Sequence, residues 1–250
     1  MDINFQGKVV LITGGARGIG RALALRFGAL GASVVVNYGH SADVARDTVR
    51  EIESAGGKAV AIGADVSNVT EIDQLFDKTS ALFGKPDIVI VNAGIEVVGK
   101  TMIEVEEADF DRVFAINTKG AFFTMRRAAQ DVSDNGRIIF IGSSSTLIPT
   151  AGYALYSGSK RASAFFVEVL AKELGARGVT VNSILPTVTE GAGLSAGGLR
   201  PAVRHFIEQN NPMKRAGTPE DVANTAIYLA SNLASFVSGQ HLLLSGGGQA

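Results

Sequence analysis

The chain contains no cysteine, which excludes disulfides, thiolate catalysis and cysteine-ligated metals. Its three histidines, His40, His205 and His241, are far apart and lack the spacing of a metal site, so they are read as surface or loop residues and no metal is expected. A surplus of either charge is also missing. With 23 basic and 24 acidic side chains the formal net charge is −1, which gives no electrostatic reason to expect nucleic acid or an anionic membrane as partner. No apolar run reaches the length of a membrane span, and Met1-Asp2-Ile3-Asn4-Phe5-Gln6 lacks the basic and apolar regions of a signal peptide. A cytoplasmic location is the resulting expectation.

What is present is a 250-residue chain, 46% apolar, long enough for one large α/β domain over 1–250 and short for two enzyme domains. Val- and Ile-rich runs recur at Val9 to Ile12, Ser33 to Val36, Ala59 to Ile62, Ile88 to Val91, Ile138 to Ile141, Val179 to Ile184 and His241 to Leu244. These read as strands buried on both faces. Between most of them lie segments of helical period, at Ile19 to Leu30, Ser41 to Ala55, Val69 to Phe83, Val105 to Val132, Tyr153 to Ala176 and Pro219 to Ser231. The alternation predicts a doubly wound parallel sheet of about seven strands with helices on both faces. From Thr187 to Asn211 the pattern weakens into scattered glycines before a short helix around Val203 to Ile207, which is read as a substrate lid.

The run Thr13-Gly14-Gly15-Ala16-Arg17-Gly18-Ile19-Gly20 sits between the first strand and the first helix. Glycines there let the backbone approach a pyrophosphate, and the free amides at the helix start favour negative charge, so a nucleotide is expected at this end. The spacing is Gly-x-x-x-Gly-x-Gly, not the commoner Gly-x-Gly-x-x-Gly. Tyr156 and Lys160 are four apart in a helical segment and share a face. An ammonium beside a phenol lowers its pKa and readies it for proton transfer. Ser143 ends the fifth strand, where a hydroxyl would polarise a carbonyl, while Ser144 and Ser145 are read as turn residues. Asn117, polar within an apolar helix, either bonds the backbone locally or holds water for a proton path.

Taken together, these residues resemble the short-chain dehydrogenase/reductase superfamily from Lys8 to Gly247, and the overall sequence is similar to its 3-oxoacyl-(acyl-carrier-protein) reductase branch. Five elements in order carry the likeness: the glycine loop, Asp65-Val66, Asn92-Ala93-Gly94, Ser143 with Tyr156 and Lys160, and Pro186. The resemblance implies a Rossmann-type fold and hydride exchange between a nicotinamide cofactor and a carbonyl or secondary alcohol. It implies Tyr156 as acid or base, Ser143 orienting the carbonyl, Lys160 holding the nicotinamide ribose, and Asn117 holding a relay water. Asp65 and Val66 would embrace the adenine, and Asn92, Ala93 and Gly94 would run beside its ribose. Two positions depart from the family pattern: Thr187 follows Pro186 where glycine is usual, and Gly191 stands where a threonine is usual. Thr189 then becomes the candidate for the nicotinamide amide.

NADPH is expected in preference to NAD, because the second strand ends in Asn37-Tyr38 where an NAD site would place a carboxylate, and because Arg17 and Ser41 suit a phosphate. Substrate-pocket candidates are Ser145, Tyr153, Val188, Val97, Leu147, Leu194, Leu199 and Glu96, the last being either a pocket residue or a solvated loop carboxylate. Helices carrying Phe122, Phe123 and Met125, and Ala164 to Leu170, are apolar on too many faces for a single sheet contact, so a homo-oligomer is expected, a tetramer by resemblance. Carrier-protein reductases of the family bear basic residues beside the active-site mouth. Here Arg177 is kept and Asp134 replaces the other, with Asp131 nearby. That favours a free small ketone or diketone as substrate over a carrier-bound acyl chain; an idle nucleotide-binding scaffold is the remaining alternative.

Overall fold

In the computed structural model the described residues are 3–248. Met1 and Asp2 of the N-terminal segment read above lie outside them, as do Gln249 and Ala250. Seven strands, β1 (Val9–Ile12), β2 (Ser33–Tyr38), β3 (Lys58–Gly63), β4 (Ile88–Val91), β5 (Arg137–Ile141), β6 (Thr180–Pro186) and β7 (His241–Leu244), form one sheet. Their order is β3-β2-β1-β4-β5-β6-β7, and every neighbouring pair is parallel.

The strands are Val/Ile-rich along their whole length because both faces are covered. Side chains two apart go to the same layer. Val10, Ile12, Val34, Val36, Ile88 and Ile90 join one core, with helices α1 (Gly18–Ala29), α2 (Ala42–Ser54) and α8 (Pro219–Ala230) contributing to it. Leu11, Val35, Val89, Val91, Ile138 and Phe140 join the other, covered by α3 (Val69–Phe83), α5 (Ala121–Asp131) and α6 (Ala154–Glu173). The fold is thus the Rossmann-type doubly wound sheet expected from the periodicity.

Two elements differ from their sequence reading. The segment Val105 to Val132 is not one helix: α4 (Glu107–Phe114) passes through a wide π-turn, Ala115–Gly120, before α5. Asn117, whose side chain reaches out of the helix to another loop, sits at the centre of that turn. In the lid, the short stretch around Val203 to Ile207 is a ten-residue helix, α7 (Pro201–Asn210), with proline in its first turn. The segment 187–211 is tied to the stretch before α8 where Thr189 pairs with Gly217, and to itself where Glu190 meets Arg204. The His241 reading also needs correcting. Its ring is partly buried, taking Ser183 Oγ at 2.6 Å and Glu168 Oε1 at 3.1 Å, so it pins α6 to β6 and β7, while His40 and His205 are exposed. Among the described residues no cluster of metal-ligating side chains occurs, and no helix is long and apolar enough to cross a membrane.

Candidate active site

The sheet order reverses between β1 and β4, and ligands of such sheets lie beyond the carboxyl ends of the strands at that point. The glycine loop leaves β1 there and is held from both sides. Thr13 Oγ1 accepts the amides of Asn92 (3.0 Å) and Ala93 (3.1 Å), and Asn92 Nδ2 donates to the carbonyls of Thr13 (2.9 Å) and Gly14 (3.0 Å). From β2, Asn37 Oδ1 accepts Gly14 N at 3.2 Å while its Nδ2 donates to the carbonyls of Ile62 and Ala64. Asn37 is buried and its amide is spent on backbone, so it supports the cofactor loop from beneath.

The loop is a cradle that side chains would fill. Gly14 has φ +62°, and a Cβ at Gly20 would come within 2.2 Å of Gly14 O. A Cβ at Gly94 would lie 2.9 Å from Lys160 Nζ and 3.2 Å from Asn117 Oδ1, so only glycine lets the buried lysine and Asn117 come this close to the loop. Bare backbone at the start of α1, with Ile19 behind it and no acidic residue in the helix's first turn, fits a pyrophosphate. Arg17 stands exposed at the rim, and Ser41 begins α2 with its hydroxyl unused as a cap. Tyr38 is half-buried against Gly63, Asp65 turns its carboxylate onto Ser67 N (2.9 Å), and Val66 is buried. A dinucleotide carrying a further phosphate fits these residues.

Beyond the loop, α6 presents Tyr156 and Lys160 on one face, both buried. Lys160 Nζ donates to Ile141 O at 3.0 Å and lies 5.1 Å from the Phe140 ring centroid. Burial lowers its pKa to about 8, with Glu96 pulling the other way. Tyr156 shows the opposite of the sequence expectation: its pKa is raised, first by burial and next by the Glu96 carboxylate, while a hydrogen bond from Ser143 works against them. The phenol is therefore held protonated through neutral pH. Ser143 lies two residues beyond β5 and caps the turn Ser144–Thr146, with its hydroxyl 2.9 Å from that of Ser145. Tyr153 stands at the start of α6.

Asn117 is spent on structure. Its Oδ1 accepts Ile95 N (2.8 Å), its Nδ2 donates to Ile95 O (2.9 Å) and Ser159 Oγ (3.0 Å), and its own carbonyl accepts from Ser163 Oγ at 2.7 Å. The local-backbone reading of this residue is corrected: its side chain bonds backbone, but that of Ile95, twenty-two residues away in another loop. Pro186 closes β6, Thr187 Oγ1 donates to Leu244 O (3.0 Å), and buried Thr189 donates to Thr187 O (3.0 Å). The unusual threonine after the proline thus ties this loop to β7. Val188 between them is exposed.

Glu96 was the residue that sequence reasoning left undecided. Its Oε2 accepts Leu194 N from the lid at 2.8 Å, and its charge reaches both Tyr156 and Lys160. Thr13, Ser159 and Ser163 were passed over. The sequence signal for the serines is their spacing, since residues four apart share a face of α6, here the face that meets buried Asn117.

Comparison with known proteins places the chain. A family model described as Enoyl-(Acyl carrier protein) reductase matches residues 14–249. The short chain dehydrogenase claC of Passalora fulva is 39% identical over 97% of this chain and 94% of its own. The hydroxynaphthalene reductase arp2 of Aspergillus fumigatus is 37% identical over 94% of this chain and 90% of its own. Among solved structures, the angucycline C-6 ketoreductase LanV with bound NADP is 34% identical with a TM-score of 0.90, covering 98% of this chain and 96% of that one.

Proposed function

The chain belongs to the short-chain dehydrogenase/reductase superfamily of oxidoreductases, and from that premise we propose that it is an NADPH-dependent reductase of a small free ketone or diketone, with Tyr156 as general acid. The observation that carries the reading is the meeting of Tyr156, Ser143 and Lys160 at the mouth of the glycine cradle. A complete proton-transfer group beside a nucleotide site argues against an idle scaffold.

The chemistry divides between cofactor and chain. A bound reduced nicotinamide supplies the hydride. Ser143 offers a hydroxyl to the substrate oxygen, and Tyr156 delivers the proton that oxygen needs as it gains charge. Burial keeps the phenol protonated at neutral pH, which suits the reductive direction. Lys160, close beside Gly94, holds the ribose, and Asn117 fixes the Ile95 backbone beside it. Arg17 and Ser41 would receive the 2′-phosphate, with no carboxylate at Asn37 or Tyr38 to repel it, and the bound NADP of LanV accords with this. Asp65, Val66, Asn92, Ala93 and Thr189 take the adenosine and amide contacts the family implies. Ser145, Tyr153 and Val188 border the substrate, and one domain serves both ligands.

A fatty-acid role as a 3-oxoacyl-(acyl-carrier-protein) reductase is disfavoured by Arg177. Its Nε pairs with Asp134 at 2.8 Å, its Nη1 caps Ala129 O at 2.6 Å, and its Nη2 caps Val132 O. A guanidinium committed to a carboxylate and a helix end is not offered to an acidic carrier. A homotetramer is part of the proposal: Phe122, Phe165 and Val169 are exposed along α5 and α6, although Met125 and Val167 from the same helices are buried in the core.

The experiment is a comparison of kcat/KM for free ketones and diketones against a 3-oxoacyl group on acyl carrier protein, together with Tyr156→Phe. Free ketones should be preferred, and the variant should lose at least ~100-fold in turnover with cofactor binding kept. Preference for the carrier-bound substrate by orders of magnitude would restore the fatty-acid reading, and near-normal turnover of the variant would remove Tyr156 from its role.

A further inference from the structure

Glu96 follows Asn92-Ala93-Gly94-Ile95 on the loop after β4, and its backbone is fixed because Asn117 grips both polar atoms of Ile95. Three parts of the molecule converge on its carboxylate. The lid reaches it through Leu194 N at 2.8 Å. The adjoining lid residue, Gly193, has φ +52°, and a Cβ there would stand 2.8 Å from either carboxylate oxygen, so the lid backbone lies directly against the group. Glu96 itself is exposed, and its charge helps to hold the Tyr156 pKa up, which sets it on the side of the site that carries the phenol. The reductase reading gives this arrangement no task.

We propose that Glu96 determines specificity by accepting a hydrogen bond from the substrate, which therefore carries a hydroxyl donor beside the carbonyl that is reduced. The inference deepens the reductase reading above and rests on it. An ionised carboxylate has about four lone-pair positions, and the lid amide takes one of them. During reduction the Tyr156 O–H serves the substrate oxygen and is not available as a donor to Glu96. Glu96 is exposed and hydrated in the open site; a substrate seated against it would displace that water, and a carboxylate that loses a donor without a replacement is penalised. A ketone with a correctly placed hydroxyl supplies a further donor, whereas its ether or deoxy counterpart leaves Glu96 with the Leu194 amide alone. A site built around a hydrogen-bonding group rejects analogues lacking the partner far more strongly than an apolar pocket rejects a missing methylene. With the exposed apolar Val188 and Leu194 carried on the lid side, Glu96 is the polar group that sets the orientation.

The test uses the full chain with NADPH and three sets of probes: cyclohexanone, which lacks the substituent, its ring-hydroxylated derivatives, and the matching methyl ethers, which keep the oxygen, lose the donor and add one methyl group, any steric cost of which persists in the Glu96 variants. For at least one position of the hydroxyl, the wild-type kcat/KM should exceed that of the methyl ether by about tenfold or more, in keeping with loss of a hydrogen bond to a charged group. In Glu96→Met the ratio should collapse to that steric cost, near unity, and Glu96→Gln, which keeps one acceptor oxygen, should fall between. The ratio, not the absolute rate, is the readout, because either variant also loosens the lid. Equal wild-type rates on hydroxy-ketones and their ethers, or a preference undiminished in Glu96→Met, would overturn the proposal. If no ketone is turned over, the reductase reading fails by itself. Glu96 is then judged by calorimetric Kd values for the same pairs with NADP present, where a hydroxyl preference lost in Glu96→Met supports it and equal affinities refute it.

Discussion

Replacing Lys160 by methionine should make the protein inactive and, at neutral pH, more stable. The ammonium is buried, bonded to Ile141 O at 3.0 Å, and its pKa is brought from 10.5 down to about 8 by burial, a fall that the Glu96 charge partly resists. At about 1.4 kcal/mol per pH unit, a depression of roughly two and a half units means that keeping this group charged in the fold costs about 3 kcal/mol relative to the unfolded chain. Lys160→Met keeps an unbranched stem against Phe140 and removes the charge. Against that gain stands the Ile141 carbonyl left without its donor, which costs about 1–2 kcal/mol. The net stabilisation near pH 7 is then about 1–2 kcal/mol, or a Tm higher by about 2–8 °C for a chain of this size. The sign with pH follows from the cation being disfavoured in the fold. The wild-type penalty is complete below pH 8, shrinks as the lysine loses its proton between 8 and 10.5, and is gone above. Thermal melts of both proteins across this range should therefore cross: the variant melts higher near pH 7 and, once the wild-type penalty is gone, lower at the alkaline end by the about 1–2 kcal/mol of the lost hydrogen bond to Ile141 O. A variant that melts at or below the wild type at pH 7, or a difference that stays constant with pH, would refute the reasoning. Should the stabilisation be found alongside lost turnover, Lys160 is a charge held against the fold's own interest for the sake of the site.

Cofactor preference should appear as a lower KM for NADPH than for NADH, and Arg17→Ala should raise the NADPH constant about tenfold while leaving NADH nearly unchanged, given the strength of a charge-assisted phosphate contact. A clear NADH preference would contradict the Arg17 and Ser41 assignment. Light scattering at micromolar concentration should report an oligomer; a monomer would leave Phe122 and Phe165 without a covering surface. Gly193→Ala puts a methyl group against the Glu96 carboxylate and a side chain at φ +52°, a strain of about 1–2 kcal/mol. Its expected signature is a raised KM for the carbonyl substrate with a smaller change in kcat, and identical constants would mean that the lid does not close on Glu96.

Most of the fold was legible because a parallel sheet covered on both faces imposes the simplest of patterns. Runs such as Val9 to Ile12 and Ile88 to Val91 are buried at every position, and the strand boundaries read from them hold without change. The strand read as Val179 to Ile184 extends to Pro186 because β7 pairs along it, a tertiary fact with no local signal. The π-turn at Asn117 escaped for the same reason. Its neighbours Ala115, Ile116 and Thr118 fit a regular helix, and the widening accompanies an amide drawn to Ile95, twenty-two residues away. Periodicity reports which face of an element is buried; it does not report which distant backbone a polar residue will leave the helix to meet.

The site divides along a similar line. Tyr156 and Lys160 were found because they lie on one helix, where spacing alone puts them on one face. The effect of one upon the other was misjudged, since the sequence shows that an ammonium is near a phenol but not that both are buried, nor that a carboxylate from the loop after β4 comes closer in influence. Burial reverses the expected direction for Tyr156 and weakens the proton hold of Lys160. Glu96 could not be weighed from its neighbours, because a carboxylate after Gly94-Ile95 is as plausible in water as in a pocket. Its position is decided by Asn117 gripping Ile95 and by a bare lid glycine ninety-seven residues later, and neither contact has a local trace. The residues to which catalysis is assigned here are thus announced by short-range spacing. The residue to which substrate choice is assigned here depends on three segments meeting, and it becomes visible only when they are seen together.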